Sequence, residues 1–165
     1  MMRCRSPGPR ADMAAMGDAR AASDQSCPIS IDLPGTFDGV RWALAQVMVQ
    51  LGSDRYSLEE RGTVELVLAE VLNNVVEHAY AGRSDGKVAL RVEQGISGLS
   101  VAVEDDGEPM PDGGLPSGAM AAPTEDLLAI PEGGYGWFLI GQLARDHQYR
   151  REAGRNSLTF RISVG

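Results

Sequence analysis

The sequence has few aromatic residues, one lysine and two cysteines, and these shortages narrow its range of functions. Aromatic residues make up 5% of the 165 residues, and the formal net charge is -8 at pH 7. An acidic chain whose single lysine is Lys87 is a poor match for nucleic acid or an anionic membrane surface. Cys4 and Cys27 form neither a metal-binding spacing nor a disulfide framework, which fits a reducing cytosol. The chain lacks an apolar run of about 18 residues, so we expect a cytoplasmic protein without a membrane span.

The rest of the composition is typical of one folded domain. The apolar fraction of 43% is sufficient for a buried core in a chain of this length. Residues 1–25 are rich in Ala, Arg, Gly, Ser, Asp and Pro and have no periodicity. This composition predicts a disordered N-terminal arm, followed by a single domain at residues 26–165.

Local patterns predict the elements of this domain. Alternating residues predict a strand at 29–33, and Thr36 is a suitable N-cap for a helix to about Leu51. The pattern Ser57-Leu-Glu-Glu60 fits a capping box and begins a longer helix that reaches about Tyr80. The remaining predicted elements are strands at 87–93 and 99–104, a helix at 137–146, and strands at 147–152 and 157–164 around a turn at 153–156. Adjacent strands alternating with helices predict an α+β two-layer sandwich, with a mixed, mostly antiparallel sheet and helices on one face.

The long predicted helix has an unusual polar edge beside its apolar face. Glu70, Asn74 and His78 follow each other at intervals of four residues and therefore stack along one side of the helix. A half-buried carboxylate and amide are costly to desolvate unless something pairs with them, and a hydrated metal ion on a phosphate ligand is one such partner. An ordinary solvated helix edge is the alternative, and for this helix alone it is the more common one.

Two glycine motifs follow later in the chain. Asp105-x-Gly107-x-Pro109 comes directly after a predicted strand, and by itself it is most often a turn. Gly133-Gly134-Tyr135-Gly136 precedes a predicted helix, where backbone N–H groups approach phosphates readily, although a plain hinge is more common. Between the motifs, residues 108–132 contain five of the nine prolines and no lysine or arginine. A loop of this length within a domain is usually functional or disordered.

Together the three segments resemble the N, G1 and G2 boxes of the GHKL ATPase superfamily, which includes gyrase, Hsp90, histidine kinases and MutL. Within it they are most similar to the RsbW-like anti-sigma-factor serine/threonine kinases. The N box is Glu70-x-x-x-Asn74-x-x-x-His78-Ala79. The resemblance covers about residues 27–164 and implies the Bergerat ATP-binding fold, with an ATP lid at about 108–133.

The resemblance implies a role for each motif residue. Glu70 is the expected general base, and Asn74 the expected ligand of Mg²⁺ bound with ATP. Asp105 is expected to accept a hydrogen bond from the adenine amino group. The further residues expected at the nucleotide are His78, Gly107, Gly133, Gly134, Gly136 and Thr159. His78 has a structural helix-end role as its alternative, and Thr159 that of an ordinary strand residue.

The resemblance also implies a function and partners. It predicts a kinase that uses ATP and Mg²⁺ to phosphorylate a STAS-type anti-sigma-factor antagonist, sequesters a sigma factor, and forms a homodimer. One alternative is a regulatory protein-binding module, with or without nucleotide, that transfers no phosphate. Another is an ATPase that drives a conformational change, which the short chain makes less expected.

Two features depart from the family pattern. Trp137 follows Gly136 where leucine is more usual, and the lid offers no basic residue to the γ-phosphate. Both favour the binding module over the kinase. Five arginines near the C-terminus are expected to be mostly solvated, with a partner surface as the lesser alternative; they are Arg145, Arg150, Arg151, Arg155 and Arg161.

Overall fold

The structure is a computed structural model that describes residues 27–116 and 135–165. Residues 1–25, predicted as a disordered arm, and residues 117–133 of the predicted lid lie outside the described residues. Within the described ranges, no helix is both long enough and apolar enough to cross a membrane.

Strands in the described part of the chain form one antiparallel sheet. They are β1 (Ile29–Pro34), β2 (Lys87–Gly95), β3 (Gly98–Asp105), β4 (Ala144–Glu152) and β5 (Arg155–Ile162). Their order in the sheet is β1-β2-β3-β5-β4, and each neighbouring pair is antiparallel. The predicted hairpin between β2 and β3 is confirmed, and the predicted final hairpin forms an edge of the sheet.

Three α-helices are described, and the first two start at local sequence signals. They are α1 (Phe37–Leu51), α2 (Leu58–Asn74) and α3 (Tyr135–Leu143). The Thr36 hydroxyl accepts a hydrogen bond from the Gly39 N–H at 3.1 Å and caps α1. Ser57 and Glu60 form the predicted capping box at the start of α2. The predicted continuation of α2 to about Tyr80 is a π-helical turn at Val75–Ala79.

One face of the sheet carries the core. Alternate strand residues are buried, including Ile31, Leu90, Val101 and Phe160, while the residues between them are exposed or half-buried. The buried faces of α1 and α2 and parts of α3 belong to the same apolar cluster. The predicted α+β two-layer sandwich is therefore confirmed.

Two boundaries in the C-terminal region differ from the prediction. Helix α3 ends at Leu143 instead of Asp146, because Ala144 already pairs with Ile162 in the sheet and is buried. The predicted four-residue turn at 153–156 is shorter. Ala153 and Gly154 alone make it, with φ angles of 49° and 81°, so Asn156 lies within β5.

Candidate active site

A cavity of about 580 Å³ lies between the C-terminal end of α2 and the ends of β3 and β5. Its walls are largely apolar, and its polar side chains come from segments far apart in the sequence. The apolar lining includes Val71, Val75, Val103, Met110, Trp137 and Leu158; the polar lining includes Asn74, Glu77, His78, Asp105, Glu108, Tyr149 and Asn156. A few polar groups converging in an apolar cleft of this volume are typical of a small-molecule site.

Asn74, the last residue of α2, and His78, in the π-helical turn that follows it, both line this cavity. The π-helical turn starts directly after Asn74, and the Tyr80 N–H donates to the Val75 carbonyl oxygen at 3.0 Å. Such single turns inside helices occur frequently at functional sites. His78 is exposed and lines the cavity, and its contact with a nucleotide stays a prediction.

Glu70 lies one helical turn before Asn74 and is half-buried outside the lining of the cavity. Its carboxylate faces the start of α3. A Cβ atom on Gly136 would lie 2.4 Å from Glu70 Oε2 and 3.9 Å from Asn74 Nδ2. The structure therefore brings Gly136 together with both predicted residues of α2. Gly133 and Gly134 lie outside the described residues.

Asp105, at the end of β3, is a buried carboxylate that also lines the cavity. Its Oδ1 accepts hydrogen bonds from the Gly107 N–H at 2.9 Å and the Asn156 amide at 2.7 Å. Burial raises the pKa of Asp105 above its usual value, and these two hydrogen bonds partly oppose that rise. An acceptor in this position suits an exocyclic amino group on a flat ring.

Gly107 brings the loop after Asp105 against the end of α2. A Cβ atom at position 107 would lie 2.5 Å from the Ala79 carbonyl oxygen, closer than a side chain tolerates. The same carbonyl oxygen accepts a hydrogen bond from the Glu108 N–H at 2.8 Å. Glycine is therefore required at position 107 for the loop to close over the helix end.

Sequence reasoning missed a network that holds this loop from the last two strands. Asn156 is 4% exposed, and its Oδ1 accepts hydrogen bonds from the Tyr149 hydroxyl at 2.7 Å and the Arg151 guanidinium. Arg151 also donates to the Gly107 carbonyl oxygen at 2.9 Å. All five C-terminal arginines are exposed, as predicted, although Arg151 also makes these two hydrogen bonds. The sequence offered no signal for this network, because its pattern placed Asn156 in a predicted turn at 153–156, where asparagine is common.

Tyr80 is a second residue whose importance was missed. Its ring is fully buried between Gly35 and Gly86, where added Cβ atoms would come within 2.5 and 2.4 Å of the ring. Its hydroxyl accepts from the Lys87 N–H at 3.0 Å and lies 2.7 Å from Asp106 Oδ1. Burial, helped by Asp106, raises the pKa of Tyr80 to about 12. Tyr80 thus ties the end of the α2 helical segment to β2 and to the Asp105 loop.

Thr159 is not brought to the cavity, contrary to the prediction. It pairs with Ala102 in the middle of β5, between the buried residues Leu158 and Phe160. Because side chains alternate along a strand, Thr159 lies on the outer face of the sheet. Asn156, which pairs with Asp105 in the β3–β5 register, is a residue of β5 that lines the cavity beside Asp105.

The described residues suit a metal ion that arrives with phosphate groups. They contain no group of three or more His, Cys, Asp and Glu side chains able to hold a metal by themselves. Asn74, however, has a buried amide atom, Nδ2, that lacks a hydrogen-bond partner among them. Since the two amide ends are assigned by hydrogen bonding, an unpartnered amide equally offers its oxygen. Mg²⁺ commonly takes one or two protein oxygens and completes its shell with phosphates and waters.

Comparison with known proteins identifies relatives of this architecture. The sequence profile of the histidine kinase-like ATPase domain matches residues 33–162. The chain is 30% identical over 108 residues to the serine/threonine-protein kinase BtrW of Bordetella bronchiseptica, which covers 65% of this chain and 73% of BtrW. It is 39% identical over 69 residues to Blue-light-activated histidine kinase 2 of Erythrobacter litoralis, covering 41% of this chain.

A solved structure of the RsbU and RsbW domains of a Mycobacterium tuberculosis protein has the same fold. It superposes with a TM-score of 0.55 at 18% identity and covers 84% of this chain. This chain spans 33% of the chain in that structure and 20% of the Erythrobacter litoralis kinase.

Proposed function

The chain belongs to the histidine kinase-like ATPase domain family, and from this premise we propose that it is an ATP-dependent serine/threonine protein kinase. Its proposed substrate is a STAS-type anti-sigma-factor antagonist. In the same partner-switching system it binds a sigma factor as an anti-sigma factor, acting in the cytoplasm as a homodimer. The named relative BtrW, a serine/threonine-protein kinase, supports the class of reaction.

The observation that carries this proposal is the meeting of Asn74 and Asp105 in one cavity. Asp105 selects adenine by accepting a hydrogen bond from its amino group. Asn74 would hold Mg²⁺ through its side-chain oxygen, and the ion would supply neutralisation of charge on the phosphates of ATP. The apolar walls between these two groups accommodate the base.

Glu70 is the proposed general base. It takes the proton of the acceptor hydroxyl as the hydroxyl oxygen bonds to the γ-phosphorus, and the bond from that phosphorus to the β–γ bridging oxygen breaks. The products are a phosphorylated side chain and ADP. The half-buried position of Glu70 beside the start of α3 keeps its carboxylate close to Asn74 without placing it in the apolar cavity.

Transfer of labelled γ-phosphate from ATP to an antagonist protein tests the proposal. Wild type should phosphorylate the antagonist, Glu70→Gln should bind ATP without transfer, and alanine at the acceptor serine or threonine should remove the label. Glu65→Gln is a matched control, since Glu65 is an exposed carboxylate on the same helix. Transfer by Glu70→Gln at the wild-type rate would contradict the role of Glu70.

A second candidate function is a nucleotide-binding or nucleotide-free regulatory module that transfers no phosphate. Among the described residues that line the cavity, none is lysine or arginine, and Trp137 occupies part of the wall. Intact ATP binding with no transfer to any antagonist tested would favour this function over the kinase.

A further inference from the structure

The amide of Asn156 lies buried between Asp105 and the edge strand β4. Its Nδ2 donates to Asp105 Oδ1 at 2.7 Å and to the Glu108 carbonyl oxygen at 3.0 Å. The Gly107 carbonyl oxygen is a third, more distant acceptor at 3.4 Å. Every group on this side of the amide is therefore an acceptor.

The opposite side of the amide meets donors. The Tyr149 hydroxyl accepts a hydrogen bond from the Met110 N–H at 3.1 Å, so its own proton is free to go to Asn156 Oδ1 at 2.7 Å. Arg151, which has only donors, bonds the same oxygen. A flipped amide would place oxygen against three acceptors and N–H groups against two donors. Tyr149 and Arg151 thus fix the orientation of Asn156.

This fixed amide in turn fixes the carboxylate of Asp105. Oδ1 is held by the Asn156 amide and the Gly107 N–H, whereas no hydrogen bond from the described residues reaches Oδ2. Because Asp105 lines the cavity, Oδ2 is the oxygen left to accept a hydrogen bond from a ligand there.

We propose that Asn156, oriented by Tyr149 and Arg151, is a positioning residue that gives the site its selectivity for a purine carrying a 6-amino group. The inference rests on the proposed ATP binding and deepens it. Asn156 acts through Asp105: it holds one carboxylate oxygen so that the other stays directed at the amino group of the base. Without that amide, only the Gly107 N–H still holds Oδ1, so the carboxylate is less firmly oriented and discrimination falls, while the apolar walls still accept a purine.

The test compares the affinities of two nucleotides, ATP and purine riboside 5′-triphosphate, which lacks the 6-amino group. Wild type should bind ATP about ten- to hundredfold more tightly than the analogue, the range for a hydrogen bond to a charged group. Asn156→Leu, which keeps the volume but removes the amide, should bring the ratio close to one. Its affinity for the analogue should change little. A purely structural effect would weaken both nucleotides equally.

Two further variants complete the design. Tyr149→Phe removes the hydroxyl that orients the amide without touching Asp105, so it should lower the ratio several-fold even if Asn156→Leu fails to fold. Ser157→Ala, next along β5 with its side chain on the outer face, is the matched control and should keep the wild-type ratio.

The outcomes separate this inference from the proposed function. A wild-type ratio that persists in folded Asn156→Leu, or in Tyr149→Phe where the first variant does not fold, overturns the role of Asn156. Equal binding of both nucleotides by wild type also overturns the inference but leaves ATP binding in place. If wild type binds neither nucleotide, both proposals are overturned.

Discussion

The carboxylate of Glu70 fills the space in which a side chain on Gly136 would begin: a Cβ atom there would lie 2.4 Å from Glu70 Oε2. This contact joins the polar edge of α2 to the first turn of α3, two segments separated by more than sixty residues. It places the start of α3 directly over Glu70 and Asn74, where the proposed reaction occurs.

Gly136→Ala should therefore slow phosphate transfer strongly while it leaves the free energy of unfolding nearly unchanged. The new methyl group displaces the Glu70 carboxylate, which is the end of a flexible side chain, so we expect the free energy of unfolding to change by less than about 1 kcal/mol. We expect transfer to fall at least about tenfold, because general-base catalysis contributes factors of this size or more. Gly62→Ala is the control, since Gly62 lies in α2 with nothing within 4 Å of an added Cβ. If Gly136→Ala and Gly62→Ala lost phosphate transfer equally, the close contact between Gly136 and Glu70 would not be the cause.

Gly107→Ala should impair both folding and binding. An added Cβ would lie 2.5 Å from the backbone oxygen of Ala79, and backbone moves less readily than a side-chain end. We expect a loss of about 1–3 kcal/mol in the free energy of unfolding, measured with urea, and weaker ATP binding. Gly114→Ala, with open space around position 114 and no positive φ, should be nearly neutral. A neutral Gly107→Ala would show that the loop does not need its close approach to the helix end.

Tyr80 gives a prediction in alkaline solution. Its pKa is raised from 10.0 to about 12, so the folded state favours the protonated phenol. The corresponding stabilisation is fully present below the unfolded value and is lost as pH rises through about 12. Tyr80→Phe should be less stable by about 1–3 kcal/mol at pH 7, because the Lys87 N–H and Asp106 lose their partner. The difference in the free energy of unfolding between Tyr80→Phe and wild type should narrow above pH 10. A difference that stays constant with pH would contradict a raised pKa of Tyr80.

Asn74→Ala should leave the protein as stable as wild type or more stable. The substitution removes a buried amide atom without a partner among the described residues and replaces asparagine by a better helix former. We expect the free energy of unfolding, measured by thermal unfolding, to rise by about 0.5–1.5 kcal/mol. The same variant should lose the Mg²⁺-dependent part of its ATP binding. A marked loss of stability would mean that the Asn74 amide has a structural role.

Trp137 offers a direct optical signal for occupation of the cavity. It is 7% exposed and lines the cavity, whereas Trp42, the other tryptophan, is 51% exposed on α1. In Trp42→Phe, saturating ATP should change the Trp137 emission, because the nucleotide contacts the part of the ring that lines the cavity. In Trp137→Phe the remaining Trp42 emission should stay unchanged. A change in emission seen only in Trp137→Phe would place the nucleotide near Trp42 and not in the cavity.

Local sequence features were sufficient to predict most helices and strands of the fold. Thr36 and the Ser57–Glu60 capping box set helix starts through contacts within four residues, and alternation placed β1, β2 and β3. The family expected from the three motifs is confirmed by the profile match over residues 33–162. The end of α3 was misplaced because a long-range pairing, Ala144 with Ile162, prevails over local helix propensity.

The site was predicted less completely because its details depend on strand register. Asn74, His78 and Asp105, which the family resemblance assigned to one site, line the same cavity. The predicted turn at 153–156 left Asn156 outside the strand, whereas the two-residue turn at Ala153 and Gly154 places Asn156 within β5, opposite Asp105. Thr159, which was expected at the nucleotide from the resemblance, lies on the other face of β5, because side chains alternate along a strand.

Calorimetric titration of ATP, with and without Mg²⁺, tests the central claim most directly. Wild type, Asn74→Ala and Asn73→Ala should be compared, since Asn73 is the half-buried neighbour that does not line the cavity. The account predicts that wild type and Asn73→Ala bind ATP more tightly with Mg²⁺, and that Asn74→Ala loses the Mg²⁺-dependent part. Absence of ATP binding by folded wild type, with or without Mg²⁺, would contradict it.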